Sequence, residues 1–262
     1  AGGPLGVARL ALIRTEGSGE KSQWLLHRMK PASTPRAPEP VDTWVPEPVD
    51  TWVPELVEGP TSTAEKPVDG SELPTLAPML AEAGTPGLAR ALSDPAWAEI
   101  KWDGIRALAT WRDGRLTLRA RSGTDITARY PELTADGAPH LPATDAILDG
   151  EIVAFDAAGR PSFTRLQDRM HLTRAREIER EVVRTPIVYL PFDLLHLNGH
   201  DLTGLPLRQR RELLEQVVDG LDAPVRLPPV FDDLDAALSA GREYGLEGIV
   251  AKDPASRYRA GI

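Results

Sequence analysis

Apolar and polar positions divide the chain into two unlike parts. From about residue 73 onward, short apolar runs recur at Ala98–Trp102, Ile105–Trp111, Leu116–Arg121, Ala146–Phe155, Ile187–Leu195 and Gly248–Lys252. Each has the length of a strand, and turn-forming residues bound them. Helical periodicity runs near 162–182, 206–219 and 233–244. Asp113-Gly114 and Asn198-Gly199 lie beside such runs, and both pairs favour tight hairpin turns. Hairpins between successive strands predict mostly antiparallel sheets with helices packed on them, an α+β domain over 73–262. No Gly-rich loop follows a strand and opens a helix, which argues against a P-loop or a dinucleotide fold.

The part before residue 73 reads differently. Arg9-Leu-Ala-Leu-Ile-Arg14 and Gln23-Trp-Leu-Leu-His-Arg-Met29 flank a Gly-Ser-Gly turn at 17–19, the pattern of a β-hairpin. A lone hairpin is marginal in water, so residues 1–30 are expected to be the tail of an upstream domain. Residues 31–72 hold the repeat Pro-Val-Asp-Thr-Trp-Val-Pro-Glu at 40–47 and again at 48–55. Two copies without helical or strand periodicity do not build a solenoid. Repeated proline and like charge favour an extended, solvated tether. Trp44 and Trp52 are read as part of that tether rather than as a docking motif.

Composition changes this picture in three places. The net charge of −9 argues against a nucleic-acid partner until it is located. Nine acids fall in 31–72 against only Arg36 and Lys66, so the remainder is close to neutral and a DNA-binding face is not excluded. The chain has no cysteine, which removes disulfides and thiolate metal sites and suits a reducing cytoplasm. No apolar run approaches the roughly 18 residues of a membrane span, and no signal peptide opens the chain, so no membrane association is expected. The first residue is Ala1 rather than Met, as expected of a fragment.

Three segments concentrate chemistry. Glu99-Ile-Lys-Trp-Asp-Gly-Ile-Arg106 puts charged groups into a strand and the turn after it, and alternation predicts Glu99, Lys101 and Asp103 on one face. An exposed sheet face would account for this row equally well. A lysine nucleophile must lose a proton from a group whose free pKa is about 10.4. Nearby cations and burial favour that loss, and carboxylates oppose it. A bound divalent metal and Arg106 would supply what the acidic neighbours withhold. The second segment, Leu148-Asp-Gly-Glu-Ile-Val153, sets two acids around Gly150 in an apolar strand, and the third, Glu247-Gly-Ile-Val-Ala-Lys252, runs from an acid to a base. Carboxylates in apolar strands need a cation or donors, which makes Glu151 and Glu247 candidate ligands for Mg²⁺ or Mn²⁺.

In this order, the segments resemble the covalent nucleotidyltransferase superfamily of ATP-dependent DNA ligases, RNA ligases and mRNA capping enzymes. Lys101-Trp-Asp-Gly-Ile-Arg106 matches its Lys-x-Asp-Gly-x-Arg signature, and Leu148-Asp-Gly-Glu151, Phe192-Asp-Leu-Leu195 and Glu247–Lys252 are similar to three further motifs. Finer matches favour DNA ligase. Arg119-Ala-Arg-Ser-Gly-Thr-Asp-Ile-Thr-Ala-Arg-Tyr-Pro-Glu-Leu133 and Val188-Tyr-Leu-Pro-Phe-Asp-Leu-Leu-His-Leu-Asn-Gly199 resemble segments of bacterial multidomain end-joining ligases. In those ligases a phosphoesterase module can precede the ligase domain, and residues 8–30 look like its tail.

The resemblance implies an ATP-grasp-like fold of mostly antiparallel sheets flanked by helices. It further implies that Lys101 attacks the α-phosphate of ATP and carries AMP as a phosphoramidate. By the same resemblance Glu99 reads the adenine amino group, Arg106 and Glu151 hold the ribose, and Arg121 contacts phosphate or sugar. Phe192 would stack on the base, Lys252 would neutralise phosphate, and Glu151 and Glu247, with Asp103, would position the metal. Nicked or broken duplex DNA is the implied partner, with end-joining proteins beside it. The family pattern continues with a further lysine motif and an oligonucleotide-binding barrel, and the chain ends at Ile262, before either. An RNA ligase or capping-type transferase, and a catalytically silent DNA-end-binding module, remain alternatives at this point. His27, His140, His171, His196 and His200 show no metal-ligand spacing, and the cluster Arg208-Gln-Arg-Arg211 reads as a solvated helix face.

Overall fold

The structure, a computed structural model, describes residues 10–13, 73–92, 97–134, 139–221, 224–243, 245–246 and 248–261. Two five-stranded sheets organise them. The first runs in the order Glu82–Gly84 (β2), Leu10–Ile13 (β1), Ile249–Lys252 (β10), Trp97–Ile100 (β3) and Val230–Phe231 (β9). The second runs Arg115–Ala120 (β5), Ile105–Arg112 (β4), Asp145–Ala154 (β6), Ile187–Leu197 (β7) and His200–Asp201 (β8). Every pairing is antiparallel except β1 with β2. The helices are Pro86–Arg90 (α1), Pro131–Thr134 (α2), Phe163–Met170 (α3), Ala175–Arg184 (α4), Leu207–Val218 (α5) and Leu234–Glu243 (α6). This is the α+β arrangement expected from the sequence.

Both Xaa-Gly turns form as hairpins. Asp113 and Gly114 take φ of 52° and 75°, and Asn198 and Gly199 take 48° and 80°. Positive φ at both central residues is the type I′ geometry that matches strand twist.

Alternation sorts the second sheet into two faces. Ala107, Ala109, Trp111, Leu148, Ile152 and Leu194 pack beneath Leu213, Leu214 and Val217 of α5. Leu108, Ile147 and Leu195 point to the opposite face, where Met79 and Tyr258 cover them. In the first sheet Ala98, Ile100, Ile249 and Ala251 pack on Leu234, Ala237 and Leu238 of α6. Burying each large aliphatic side chain contributes about 1.5–3 kcal/mol, so these three clusters fix the sheets that carry the site.

Two expectations need revising, and a third is not reached. The strand predicted over Ala98–Trp102 stops at Ile100, because the chain bends at Asp103-Gly104 to cross from the first sheet into the second. At Gly104 a side chain would collide with the carbonyl oxygen of Ile152 and with the side chains of Glu151 and Val153, so only glycine permits that passage. The helical pattern at 162–182 resolves into α3 and α4. Arg169, at the end of α3, turns fully inward to Glu132 and to the carbonyls of Arg129 and Thr185, and the chain breaks there. The expected hairpin partner of Leu10–Ile13, residues 23–29, lies outside the described residues, as does the tether 31–72. Leu10–Ile13 is a strand, and it pairs with Ile249–Lys252 and Glu82–Gly84.

Candidate functional site

A cleft of about 340 Å³ receives side chains from both sheets. Glu99, Lys101, Arg106, Arg121, Glu151, Phe192 and Lys252 all line it. Seven residues nominated from sequence segments up to 153 positions apart therefore meet in one place. The volume lies within the range of small-molecule sites. Asp103 is exposed and does not line the cleft. It acts on Lys101 and Glu151 through its charge, which corrects the expectation of a single row Glu99, Lys101, Asp103. The strand's end at Ile100 is the reason, since alternation does not continue through a bend. Glu247 lies outside the described residues.

Lys101 follows β3, and its backbone N–H donates to the Gly248 carbonyl at 2.9 Å, which ties it to the start of β10. Two residues earlier, Glu99 is buried, and its Oε2 accepts from Lys252 Nζ at 2.6 Å. Lys252 Nζ also lies 4.8 Å from the centroid of the Phe192 ring, and the Arg106 guanidinium lies 5.4 Å from the same ring. An aromatic face flanked by two cations in a cleft is a platform for an anionic ligand with a planar ring.

Arg106 and Glu151 sit directly opposite each other in the β4–β6 ladder. The Arg106 guanidinium donates Nε to Asp149 Oδ1 at 3.0 Å and Nη2 to Oδ2 at 2.7 Å. The Tyr258 hydroxyl donates to the same Oδ2 at 2.7 Å and accepts the Met79 N–H at 2.8 Å. Burial, and after it the Asp149 charge, push the Tyr258 phenol well above its ordinary value, so it stays protonated as a donor. Gly150 lets β7 approach, because a side chain there would meet the Leu190 carbonyl oxygen and the Tyr189 ring at 2.7 Å.

In β7 the register with β6 shifts between Asp149↔Asp193 and Gly150↔Pro191, which leaves Phe192 as the extra residue of a bulge. Bulges re-aim side chains beside binding sites. Here the bulge lets Phe192 and Asp193, neighbours in sequence, both line the cleft. Asp193 is bound through Nε and Nη2 of Arg210, at 2.7 and 2.8 Å, and Arg210 also donates to the Leu205 and Ser256 carbonyls. Arg210 and Arg211 are therefore buried structural cations, against the expected solvated face, and of the three arginines in that cluster only Arg208 is exposed. Asp149, Asp193, Arg210 and Tyr258 were not nominated as site residues. The acidic pairing of Asp149 and the burial of an arginine in an amphipathic helix were the available signals. Of the histidines, His196 is buried 2.9 Å from Asp145 and His140 packs edge-on against Trp111, both structural placements.

Burial pushes the Glu151 carboxyl up to about 8, Arg106 opposing and Asp149 reinforcing the shift. A desolvated carboxyl of this kind suits a cation-binding role, because a metal replaces the proton. Among the described residues no three acidic or histidine side chains converge to hold a metal alone. Such a donor set fits Mg²⁺, which takes one or two carboxylates together with substrate phosphates. Among the described residues no helix is long and apolar enough to cross a membrane.

Comparisons with known proteins bear on the family and the fold. The family model for the ATP dependent DNA ligase domain matches residues 78–262. The multifunctional non-homologous end joining DNA repair protein LigD of Mycobacterium tuberculosis (strain H37Rv) is 35% identical over 97% of this chain and 26% of its own length. A DNA ligase of Pyrobaculum calidifontis is 35% identical over 72% of the chain and 33% of its own length. The solved structure of a mycobacterial DNA ligase D complexed with ATP and MES superposes with a TM-score of 0.57 at 37% identity, covering 71% of this chain and 56% of that one. The ligase domain of M. tuberculosis LigD gives 0.55 at 37% identity, covering 71% and 57%. The chain spans about a quarter of the length of the end-joining relatives it matches. Over residues 78–262, the chain belongs to the ATP-dependent DNA ligase domain family.

Proposed function

We propose that the chain is the adenylyltransferase core of an ATP-dependent DNA ligase acting in double-strand-break end joining in the bacterial cytoplasm. The observation that carries this reading is the convergence of Glu99, Lys101, Arg106, Arg121, Glu151, Phe192 and Lys252 on one cleft. Residues 31–72 serve as the tether, and 1–30 as the tail of a preceding module.

The base of ATP stacks on Phe192, with its amino group toward Glu99. Arg106, held rigid by Asp149, and Glu151 meet the ribose, and Arg121 contacts phosphate or sugar at the mouth. Lys101 Nζ, once deprotonated, forms a bond to the α-phosphorus as the bond to the β-phosphate oxygen breaks, releasing pyrophosphate. An oxygen of a DNA 5′-phosphate then displaces Lys101 from that phosphorus. Attack by the neighbouring 3′-hydroxyl joins the strands and releases AMP. A divalent cation on Glu151 and Glu247, with the Asp103 charge nearby, would neutralise phosphate oxygens. End-joining proteins are the proposed partners.

The test is joining of a nicked duplex bearing a labelled 5′-phosphate, with ATP and Mg²⁺ or Mn²⁺. Joined product that disappears in Lys101→Ala supports the reading. Lys101-independent joining, or DNA binding with no AMP transfer to the 5′-phosphate, contradicts it.

A further inference from the structure

Lys252 is the base that ends the segment Glu247–Lys252, and the resemblance assigns it to phosphate. Its position in the sheet argues otherwise. In the antiparallel register Ile249 lies opposite Ile100 and Lys252 opposite Trp97. Lys101 joins this ladder at the Gly248 end. At about 3.4 Å per residue, the Lys252 backbone stands roughly 14 Å along the strand from the Lys101 backbone. Its side chain ends instead at Glu99, at 2.6 Å, beside the ring of Phe192. Both charged groups are buried, with Lys252 5% and Glu99 3% exposed, and an ion pair so desolvated is kept in place by its geometry.

The geometry points to Lys252 as a base-reading residue that discriminates adenine from guanine together with Glu99. The inference rests on the proposed nucleotide site, with Phe192 under the base. A base arriving on Phe192 takes up the space beside Nζ. The pair then offers it one acceptor, the Glu99 carboxylate, and one donor, the Lys252 ammonium, which keeps two N–H groups beyond the one given to Glu99. Adenine presents the complement along one edge, an amino donor at N6 beside an acceptor at N1. Guanine presents the reverse, an acceptor at O6 beside a donor at N1, so in the same pose acceptor meets acceptor, donor meets donor, and both contacts fail. Rejection by unpaired buried polar groups is the strong form of specificity. Lys252 also fixes Glu99 by holding Oε2, while Trp97 Nε1 approaches Oε1 at 3.5 Å.

The test is a cycle of binding constants, by calorimetry, for ATP and 1-deaza-ATP, in which N1 is replaced by C–H, on the natural chain and on Lys252→Met. The natural chain is expected to bind 1-deaza-ATP on the order of ten- to a hundredfold more weakly than ATP, the cost of leaving one buried N–H of the ammonium without its acceptor. Lys252→Met is expected to bind the two alike. Equal affinities in the natural chain overturn the inference without any variant, so it remains falsifiable if the variant does not fold. A Lys252→Met protein that keeps the natural ratio also overturns it and returns the lysine to the phosphates. A natural chain that binds no ATP sinks the proposed nucleotide site as well, which separates that failure from the other two.

Discussion

Asp149 and Asp193 lie opposite each other across β6 and β7, and each is bound by a different arginine, Arg106 and Arg210. Two like charges in register would repel inside a sheet. Here each carboxylate accepts a forked pair of hydrogen bonds, and the two arginines reach in from different elements, β4 and α5. The acids thereby bind Arg106 at the cleft on one side and the α5 helix on the other.

Removing one partner of such a pair strands the other. Asp149→Ala is expected to destabilise the fold by about 3–5 kcal/mol, and Tyr258→Phe by about 2 kcal/mol through the lost bond to a charged acceptor and the Met79 N–H left without its own. Denaturant unfolding measures both. A loss in Asp149→Ala no larger than that of Tyr258→Phe would mean that Arg106 finds another partner.

Arg210→Met should be costly for the same reason, by about 3–5 kcal/mol, because Asp193 and two carbonyls lose their donor in the interior. Arg208→Met, on the exposed side of the same helix, is expected to stay within about 0.5 kcal/mol of the natural chain. Thermal melts of the two variants side by side decide whether the basic cluster is one solvated face or two environments.

The motif glycines make a steric prediction. Gly150→Ala pushes a methyl group against the Leu190 carbonyl oxygen, and backbone yields little. A loss of about 2–3 kcal/mol is expected, together with weakened nucleotide binding as Glu151 shifts. Gly114→Ala meets no atom within 4 Å and is limited to the strain of its positive φ, about 1 kcal/mol.

Much of this could be read from the chain. The strands over 105–111, 116–121 and 146–155 follow from the length of their apolar runs and the turn residues that bound them, and both hairpin turns follow from Asp-Gly and Asn-Gly. The seven residues that line the cleft could be nominated because short motifs, and for Arg121 the segment Arg119–Leu133, carry them in order. The sequence hid whatever depends on partners far along the chain. Arg210 looks like any helix arginine until Asp193 is folded against it. Phe192 and Asp193 seem bound to opposite faces until a bulge turns them to the same one. The end of β3 at Ile100 is set by Gly104 pressing on Ile152, a contact no local pattern contains.

Glu151 predicts a pH dependence of stability in metal-free protein. Its carboxyl is pushed up to about 8 from an ordinary value of 4.5. Below 4.5 both folded and unfolded chains hold the proton, and the folded state suffers no loss. Between 4.5 and about 8 the unfolded chain releases it while the folded chain retains it, so stability falls as pH rises through this window. Glu151→Gln has no such proton. In the presence of a chelator it is expected to melt at least about 3 °C above the natural chain at pH 8 and level with it near pH 4. A constant gap across the range would contradict the assignment.

The most direct measurement is the intact mass of the protein after incubation with ATP and Mg²⁺, followed by peptide mapping of any adduct. The account predicts a gain of one AMP, acid-labile and located on Lys101, and no gain in Lys101→Ala. An AMP adduct on another residue, or one that survives Lys101→Ala, would contradict it.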